Sequence, residues 1–503
     1  FISGQVKKIE TTNDAKISGL RQFGVQELDL IPIVQSLCKY ATTLNDPNKV
    51  RYEFEKACHI AKSGRPGPVW IQIPMDVQST KIDENNLEGY SISDTVPVAT
   101  DVEIHDIIKL LKNSSRPVII SGQGIRLSDS ISLLEEFTSK YKIPVVTPFL
   151  GIDTMNHDLF QYVGKTGVKG ERAANFAMQN SDLIIAIGTS LHVTVVGYTY
   201  EHFAREAKKI IIDIDETSHK KKTIKIDQFV HSDAKKFLEK ILKFSHDADV
   251  NEYLEWAQQC NTWKNKYPTC LPEYENTQGA ISSYLLIDKL SNHSKENDIF
   301  VSDAGGTYYA TSQAIQLTKK GQRYIPSGAM ATMGYSLPAA IGISVATDKK
   351  RVIALTGDGS FQQNIQELQT LIEYALPVKL FVLNNNGYES IRTSQKNYFK
   401  NRFLGESSIS GLSFPDTQKI ANAYGIKFVK ISKTEEIDTK IDEILAFDGP
   451  VICEVIVPED QKIIPTVSSR VNADGSMSSR PLEDMYPFLD RHEYKNNLYI
   501  DEV

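Results

Sequence analysis

The stretch from Gly357 to Gly387, GDGSFQQNIQELQTLIEYALPVKLFVLNNNG, restricts the folds open to this chain more than any other part of it. The apolar run Val352-Ile353-Ala354-Leu355 just upstream ends at glycines, as a buried parallel strand does where it hands the chain to a loop at the carboxyl edge of a sheet. Asp358 falls in that loop. Apolar residues at Ile365, Leu368, Leu371, Ile372 and Ala375 predict a helix over 361–375 that stops before Pro377. A second strand is predicted over 378–383 and runs into Asn384-Asn385-Asn386-Gly387. If the two strands are neighbours in a parallel sheet, Asp358 and Asn385 reach the same edge, where open α/β sheets bind ligands. The glycine-rich turn offers free N–H groups and a positive helix end to a phosphate. One carboxylate, one amide oxygen and a backbone carbonyl suit a small hard cation that completes its octahedron with phosphate oxygens and water.

The rest of the chain sets limits on this reading. A length of 503 residues suggests about three domains. A net charge of -7 leaves no basic footprint for nucleic acid. Cys38, Cys58, Cys260, Cys270 and Cys453 are scattered without CxxC spacing, so reduced, buried thiols in a cytoplasmic protein are expected rather than disulfides or zinc. No apolar run approaches the roughly 18 residues of a membrane span. Gly64-Arg65-Pro66-Gly67-Pro68 reads as a turn feeding a buried strand over 69–74, and 79–100 as a linker. Further strands are predicted over 118–120, 143–146, 183–188 and 209–215. The first of these leads into Ser121-Gly122-Gln123-Gly124, which lacks the full GxGxxG spacing of a dinucleotide site.

GDGS followed by 27 positions from Asp358 to Asn385 resembles the thiamine diphosphate motif, and FQQNIQELQT with LPVK resembles the acetolactate synthase-like branch of those enzymes. The alternative is an ordinary βαβ unit with Asp and Asn in its turns. The resemblance implies an α/β fold of three doubly wound parallel-sheet domains, the first truncated. Residues 1–80 are the end of a pyrimidine-binding domain, 96–245 a central domain, 246–275 a connector, 276–464 a diphosphate-binding domain and 465–503 a tail. It implies Mg2+ on Asp358, Asn385 and the Gly387 carbonyl. It places thiamine diphosphate against Gly305 and Gly306, and against Gly357, Gly359 and Ser360. Met333 would prop the cofactor in a bent shape, the Ala331 carbonyl would accept from its amino group, and Ile391 would lie beside it. Plain core packing is the alternative for Met333. FAD in the central domain is possible, with Gly164-Lys165-Thr166-Gly167 either lining a cofactor cleft or forming a simple loop. The glutamate that activates the cofactor in the resembled family lies upstream of the segment FISGQV, so it is expected before residue 1, and neither Glu27 nor Glu53 replaces it.

Departures from the resembled pattern bear on the substrate. Acetolactate synthases place an arginine for the acceptor carboxylate in the segment corresponding to Gly188–Gly197, and none is present here. They place a tryptophan nine positions beyond the metal-binding Asn, where this chain has Ser394. Simple decarboxylases carry a glutamate six positions beyond it, where this chain has Ile391. His192 and Arg392 are the polar groups near the pocket, with a surface position and a local ion pair as their alternatives. Arg21-Gln22, Gln26-Glu27 and Lys39-Tyr40 resemble a substrate entrance, or else a surface helix. The tail, with Ser468-Ser469-Arg470, Asp474-Gly475-Ser476-Met477 and Pro481–Met485, resembles that of proteins found with keto-sugar nucleotide pathways, and forms either a lid or a surface extension. The expected activity is a carboligase that decarboxylates a 2-keto acid, pyruvate favoured, and passes the acyl unit to a carbonyl acceptor such as a keto-sugar nucleotide. The alternatives are acetolactate synthase proper, a 2-keto acid decarboxylase or oxidase, and a non-catalytic cofactor-binding subunit. A homodimer or homotetramer is implied.

Overall fold

The computed structural model describes all residues except 93, 94, 247–249, 251, 278, 472, 473, 475 and 476. Gly475 and Ser476 of the tail signature therefore lie outside the described residues. The chain divides into two compact units, residues 1–98 with 214–217, and residues 99–213 with 218–503.

The first unit holds a three-stranded parallel sheet. Strands β1 (Ile2–Gln5), β2 (Tyr40–Thr43) and β3 (Val69–Pro74) lie in the order β1-β3-β2. Leu44, Ala57, Ile71 and Val77 form its small core under the helix Val50–Lys62. The surface helix considered for Arg21 to Glu27 is absent, and the segment is an irregular loop. Glu27 organises that loop, accepting from the Thr12 hydroxyl at 2.7 Å and the Phe23 N–H at 2.8 Å. Partial burial would raise its pKa, but the hydrogen bonds from Thr12, Phe23 and Gly24 prevail and hold the carboxyl down to about 2. A cleft of about 340 Å³ opens at the carboxyl ends of β1, β2 and β3, beside Gln5, Thr43 and Gln72.

The second unit carries two six-stranded sheets, both parallel throughout. The central one is built from β4 (Pro117–Ser121), β5 (Val145–Thr147), β6 (Tyr162–Lys165), β7 (Leu183–Ile187), β8 (Lys208–Asp213) and β9 (Gln228–His231). Its order, β6-β5-β4-β7-β8-β9, is that of a dinucleotide-binding sheet. The second sheet is built from β10 (Ile299–Ser302), β11 (Arg323–Pro326), β12 (Val352–Gly357), β13 (Val378–Asn384), β14 (Lys427–Ile431) and β15 (Val451–Ile456). They lie in the order β11-β10-β12-β13-β15-β14. Because side chains alternate faces along a strand, Ile353, Leu355, Phe381 and Cys453 enter one core, and Val352, Ala354, Leu380 and Ile452 the opposite one. Both faces are covered, so these strands read as continuous apolar runs in the sequence.

The helix predicted over 361–375 is broken. A turn at Asp358–Phe361 and a 3-10 segment at Gln362–Glu367 precede a short helix, Leu368–Glu373. Asn364 leaves helical geometry there, and its side-chain amide donates to the Gly334 carbonyl at 2.8 Å. Hydrophobic spacing carries no sign of that bond.

All five cysteines are free, and only Cys260 and Cys453 are fully buried; Cys58 is exposed, which corrects the expectation of burial for it. No helix among the described residues is long and apolar enough to cross a membrane.

Candidate active site

Strands β10 and β12 are neighbours, yet the chain leaves β10 toward β11 on one side and returns to β12 on the other, so the sheet changes direction between them. Such a switch point opens a crevice at the carboxyl ends of the strands. Gly305 and Gly306 follow β10 and start the helix Gly305–Ala314. Asp358 follows β12. Because Gly357 pairs with Leu383 in the parallel β12–β13 ladder, Asn385 and Gly387 reach the same edge.

Asp358 is 6% exposed. Its Oδ1 accepts from the Gly359 N–H at 2.8 Å and its Oδ2 from the Gly387 N–H at 3.1 Å. Burial pushes its carboxyl up to about 6, against the pull of N–H groups from Gly387, Gly359, Asn385 and Asn386. It has no cationic partner among the described residues, and the Asn385 side-chain amide and the Gly387 carbonyl make no hydrogen bond among them either. A buried carboxylate without a cation, beside two unused oxygen donors, fits a small hard cation. Gly387 has φ of 146°, and a Cβ there would lie 1.9 Å from the Glu406 carbonyl oxygen. Only glycine fits that position. Arg392 forms the local ion pair, its Nε 2.6 Å from Glu406, and also donates to the carbonyls of Asn385 at 3.4 Å and Asn386 at 3.1 Å. It therefore holds the loop that carries Asn385 and Gly387.

Asp303 is the residue that sequence reasoning missed. Its Oδ2 accepts from the Thr356 and Ser360 hydroxyls, both at 2.7 Å, and its Oδ1 from the Ala304 N–H at 2.7 Å. Burial raises its pKa while the Ser360 and Thr356 hydroxyls pull it down. The Ser360 hydroxyl in turn accepts from the Gly334 N–H at 2.8 Å. One buried carboxylate thus ties the β10 loop to the β12 loop, and through Ser360 to the loop carrying Ala331 and Met333. The available signal was an aspartate directly after an apolar strand and ahead of a glycine pair.

Met333 is 38% exposed and so is not plain core packing; Ile391, on the helix Glu389–Tyr398, is 42% exposed. Ala331 takes the left-handed conformation at φ 45°. Ser394 lies on the same helix as Ile391. His192 is exposed and caps the short helix Val193–Val196, with its Nδ1 3.0 Å from the Thr194 hydroxyl.

The central sheet has its own switch point, between β4 and β7. There the two glycine loops touch backbone to backbone: a Cβ on Gly122 would lie 2.2 Å from the Gly188 carbonyl oxygen, and one on Gly124 2.5 Å from the Gly188 Cα. Those glycines answer a packing requirement. Lys165, of the run Gly164–Gly167, is fully buried and donates to the carbonyls of Ile315 at 2.8 Å and Gln313 at 3.2 Å. That run therefore holds the two sheets together.

Sheet order and the glycine turns place the chain among the parallel α/β proteins with a ligand crevice at the switch point. Residues 303–455 match the thiamine pyrophosphate enzyme C-terminal TPP binding domain, and residues 104–241 match the central domain of the same enzymes. The acetolactate synthase large subunit of Pyropia yezoensis is 31% identical over 93% of this chain and 77% of its own length. That of Lactococcus lactis is 30% identical over 94% and 79%, and the isozyme 2 large subunit of Escherichia coli 28% identical over 92% and 80%. The chain belongs to the thiamine pyrophosphate enzyme family, as a cofactor-dependent enzyme of the acetolactate synthase type.

Proposed function

We propose that this chain is a Mg2+-dependent carboligase that decarboxylates a 2-keto acid, pyruvate favoured, and transfers the acyl unit to a carbonyl acceptor, with a keto-sugar nucleotide as the acceptor. When bound, thiamine diphosphate supplies the electron sink for this chemistry. The chain's own residues bind and orient. Asp358, Asn385 and the Gly387 carbonyl take the metal, and the Gly305-Gly306 and Gly357–Ser360 backbones take the diphosphate. Met333 and Ile391 present an apolar wall that keeps water from the reacting centre. The observation that carries the proposal is the set of unused oxygen donors around buried Asp358, with an apolar residue and no acid at position 391. Without a proton donor there, transfer to an acceptor is favoured over release of a free aldehyde. Ser394, where a larger side chain would narrow the pocket, supports a bulky acceptor. Flavin takes no step in this reading.

The test uses the full-length protein loaded with thiamine diphosphate and Mg2+, given pyruvate and a panel of keto acids and keto-sugar nucleotides, with CO2 and ligated product followed together. Product that depends on a keto-sugar nucleotide supports the proposal; acetolactate from pyruvate alone, or free aldehyde, contradicts it. We place the active form in the cytoplasm as a homodimer or homotetramer. Light scattering that returns the mass of a single chain contradicts that assembly.

A further inference from the structure

Lys169 is a cation that neither the fold nor the proposed reaction uses. It sits on the turn after β6, and that turn is fixed on both sides. The Val168 N–H donates to the Thr194 carbonyl at 2.7 Å, and the Val168 carbonyl accepts from the Val467 N–H at 2.7 Å. A Cβ on the following Gly170 would lie 2.5 Å from the Lys165 carbonyl oxygen. The side chain reaches the helix that starts at Gly305, where its ammonium lies 4.9 Å from the centroid of the Tyr309 ring. It makes no hydrogen bond or ion pair among the described residues. Burial lowers its pKa, and the Glu389 carboxylate partly restores it.

Glu389 completes the arrangement. Its Oε1 accepts from the Thr393 hydroxyl at 2.7 Å, while its Oε2 lies 3.3 Å from the point where a Cβ on Gly306 would stand. The second oxygen has no hydrogen bond among the described residues. An ammonium over the Tyr309 ring and a carboxylate oxygen beside Gly306, neither with a hydrogen bond among the described residues, therefore both lie against the helix that starts at the switch point. A cation–π contact such as that with Tyr309 is worth about 0.5–2 kcal/mol. Desolvating an ammonium costs more than that. Packing alone gives no reason to hold the lysine here, whereas an anion that completes its partners does.

We propose that Lys169 is the docking cation for a phosphate of the carbonyl acceptor, and that the free Glu389 oxygen accepts from a hydroxyl of the same molecule. This assignment rests on the carboligase reading above and specifies the acceptor further: it is anionic and hydroxylated.

The experiment is calorimetry on the full-length protein preloaded with thiamine diphosphate and Mg2+. Uridine diphosphate probes the phosphate arm, and oxamate, an unreactive analogue of pyruvate, probes the carboxylate of the donor. Lys169→Gln is expected to weaken uridine diphosphate at least tenfold, to leave oxamate and thiamine diphosphate within twofold, and to be rescued to within threefold by Lys169→Arg. Unchanged uridine diphosphate affinity in Lys169→Gln overturns the assignment while leaving the carboligase reading intact. A loss for oxamate alone moves the lysine to the donor and also overturns it, as does an equal loss for thiamine diphosphate. Wild-type protein that takes up its cofactor but no uridine diphosphate overturns the keto-sugar nucleotide reading itself, and the assignment with it.

Discussion

Asp358 pays for its position when no cation is bound. Its carboxyl is held at about 6, against an ordinary value of 3.8. Between those two values the folded chain binds more protons at this site than the unfolded chain does, so the group's contribution to stability falls as pH rises through that window. Above it the penalty amounts to about 3 kcal/mol. A bound cation removes it. Metal-dependent cofactor affinity is therefore expected to fall about tenfold per pH unit below pH 6, which titrations at a series of pH values will read directly. Glu27 has the opposite sign: held at about 2, it contributes stability above its ordinary value of 4.5 that is lost as pH falls toward 2. Gly387→Ala is expected to cost at least about 2 kcal/mol, through both its φ and its clash with the Glu406 carbonyl. Chemical denaturation checks this; an unchanged midpoint would mean that the loop yields. That Asp358, Asn385 and Gly387 reach one sheet edge was legible, because β12 and β13 are apolar runs that end just before them. The surroundings of Lys169 were not, because a loop lysine ordinarily reads as solvated and nothing in its neighbours marks the Tyr309 ring it lies over.

Among the elements, the strand pair β12 and β13 was readable from apolar runs ending in polar turns, and the helix between them was not. Its break at Asn364 is set by the Gly334 carbonyl, some thirty residues away in sequence. The same limit hid Asp303, whose partners Thr356 and Ser360 come from another strand and its loop. Removing that carboxylate leaves two buried hydroxyls without their acceptor. Asp303→Ala is expected to destabilise the second unit by about 2–4 kcal/mol. It is also expected to weaken cofactor binding, since Ser360 would lose the partner that orients it toward Gly334. Measuring stability and affinity together separates this from a purely local defect, because stability lost with full affinity kept would show that the three loops are not coupled through Asp303.

At the scale of the whole molecule, the tail is more than the surface extension considered for it, since Val467, Leu482, Met485 and Tyr494 belong to the core of the central sheet. Buried Glu483 pairs with Arg205 at 2.7 Å and accepts from Gln179 at 2.7 Å, and Asn175 donates to the Leu482 carbonyl at 3.0 Å. Sequence reading did not find this because a tail's apolar residues have no periodic partner in their own neighbourhood. Burying four such side chains contributes about 6–12 kcal/mol. Truncation after Ile464 is accordingly expected to lower Tm by roughly 10 °C or more. A shift within about 2 °C would show the tail to be dispensable. In the proposed site of the second unit, one buried carboxylate and two further oxygen ligands would hold the cofactor through a cation. The most direct test is titration of thiamine diphosphate into the full-length protein, with and without Mg2+, for wild type and Asp358→Ala. Binding is expected to require Mg2+ and to fall at least a hundredfold in Asp358→Ala; equal binding by the variant, or equal binding without the metal, would show that this carboxylate holds no metal for the cofactor.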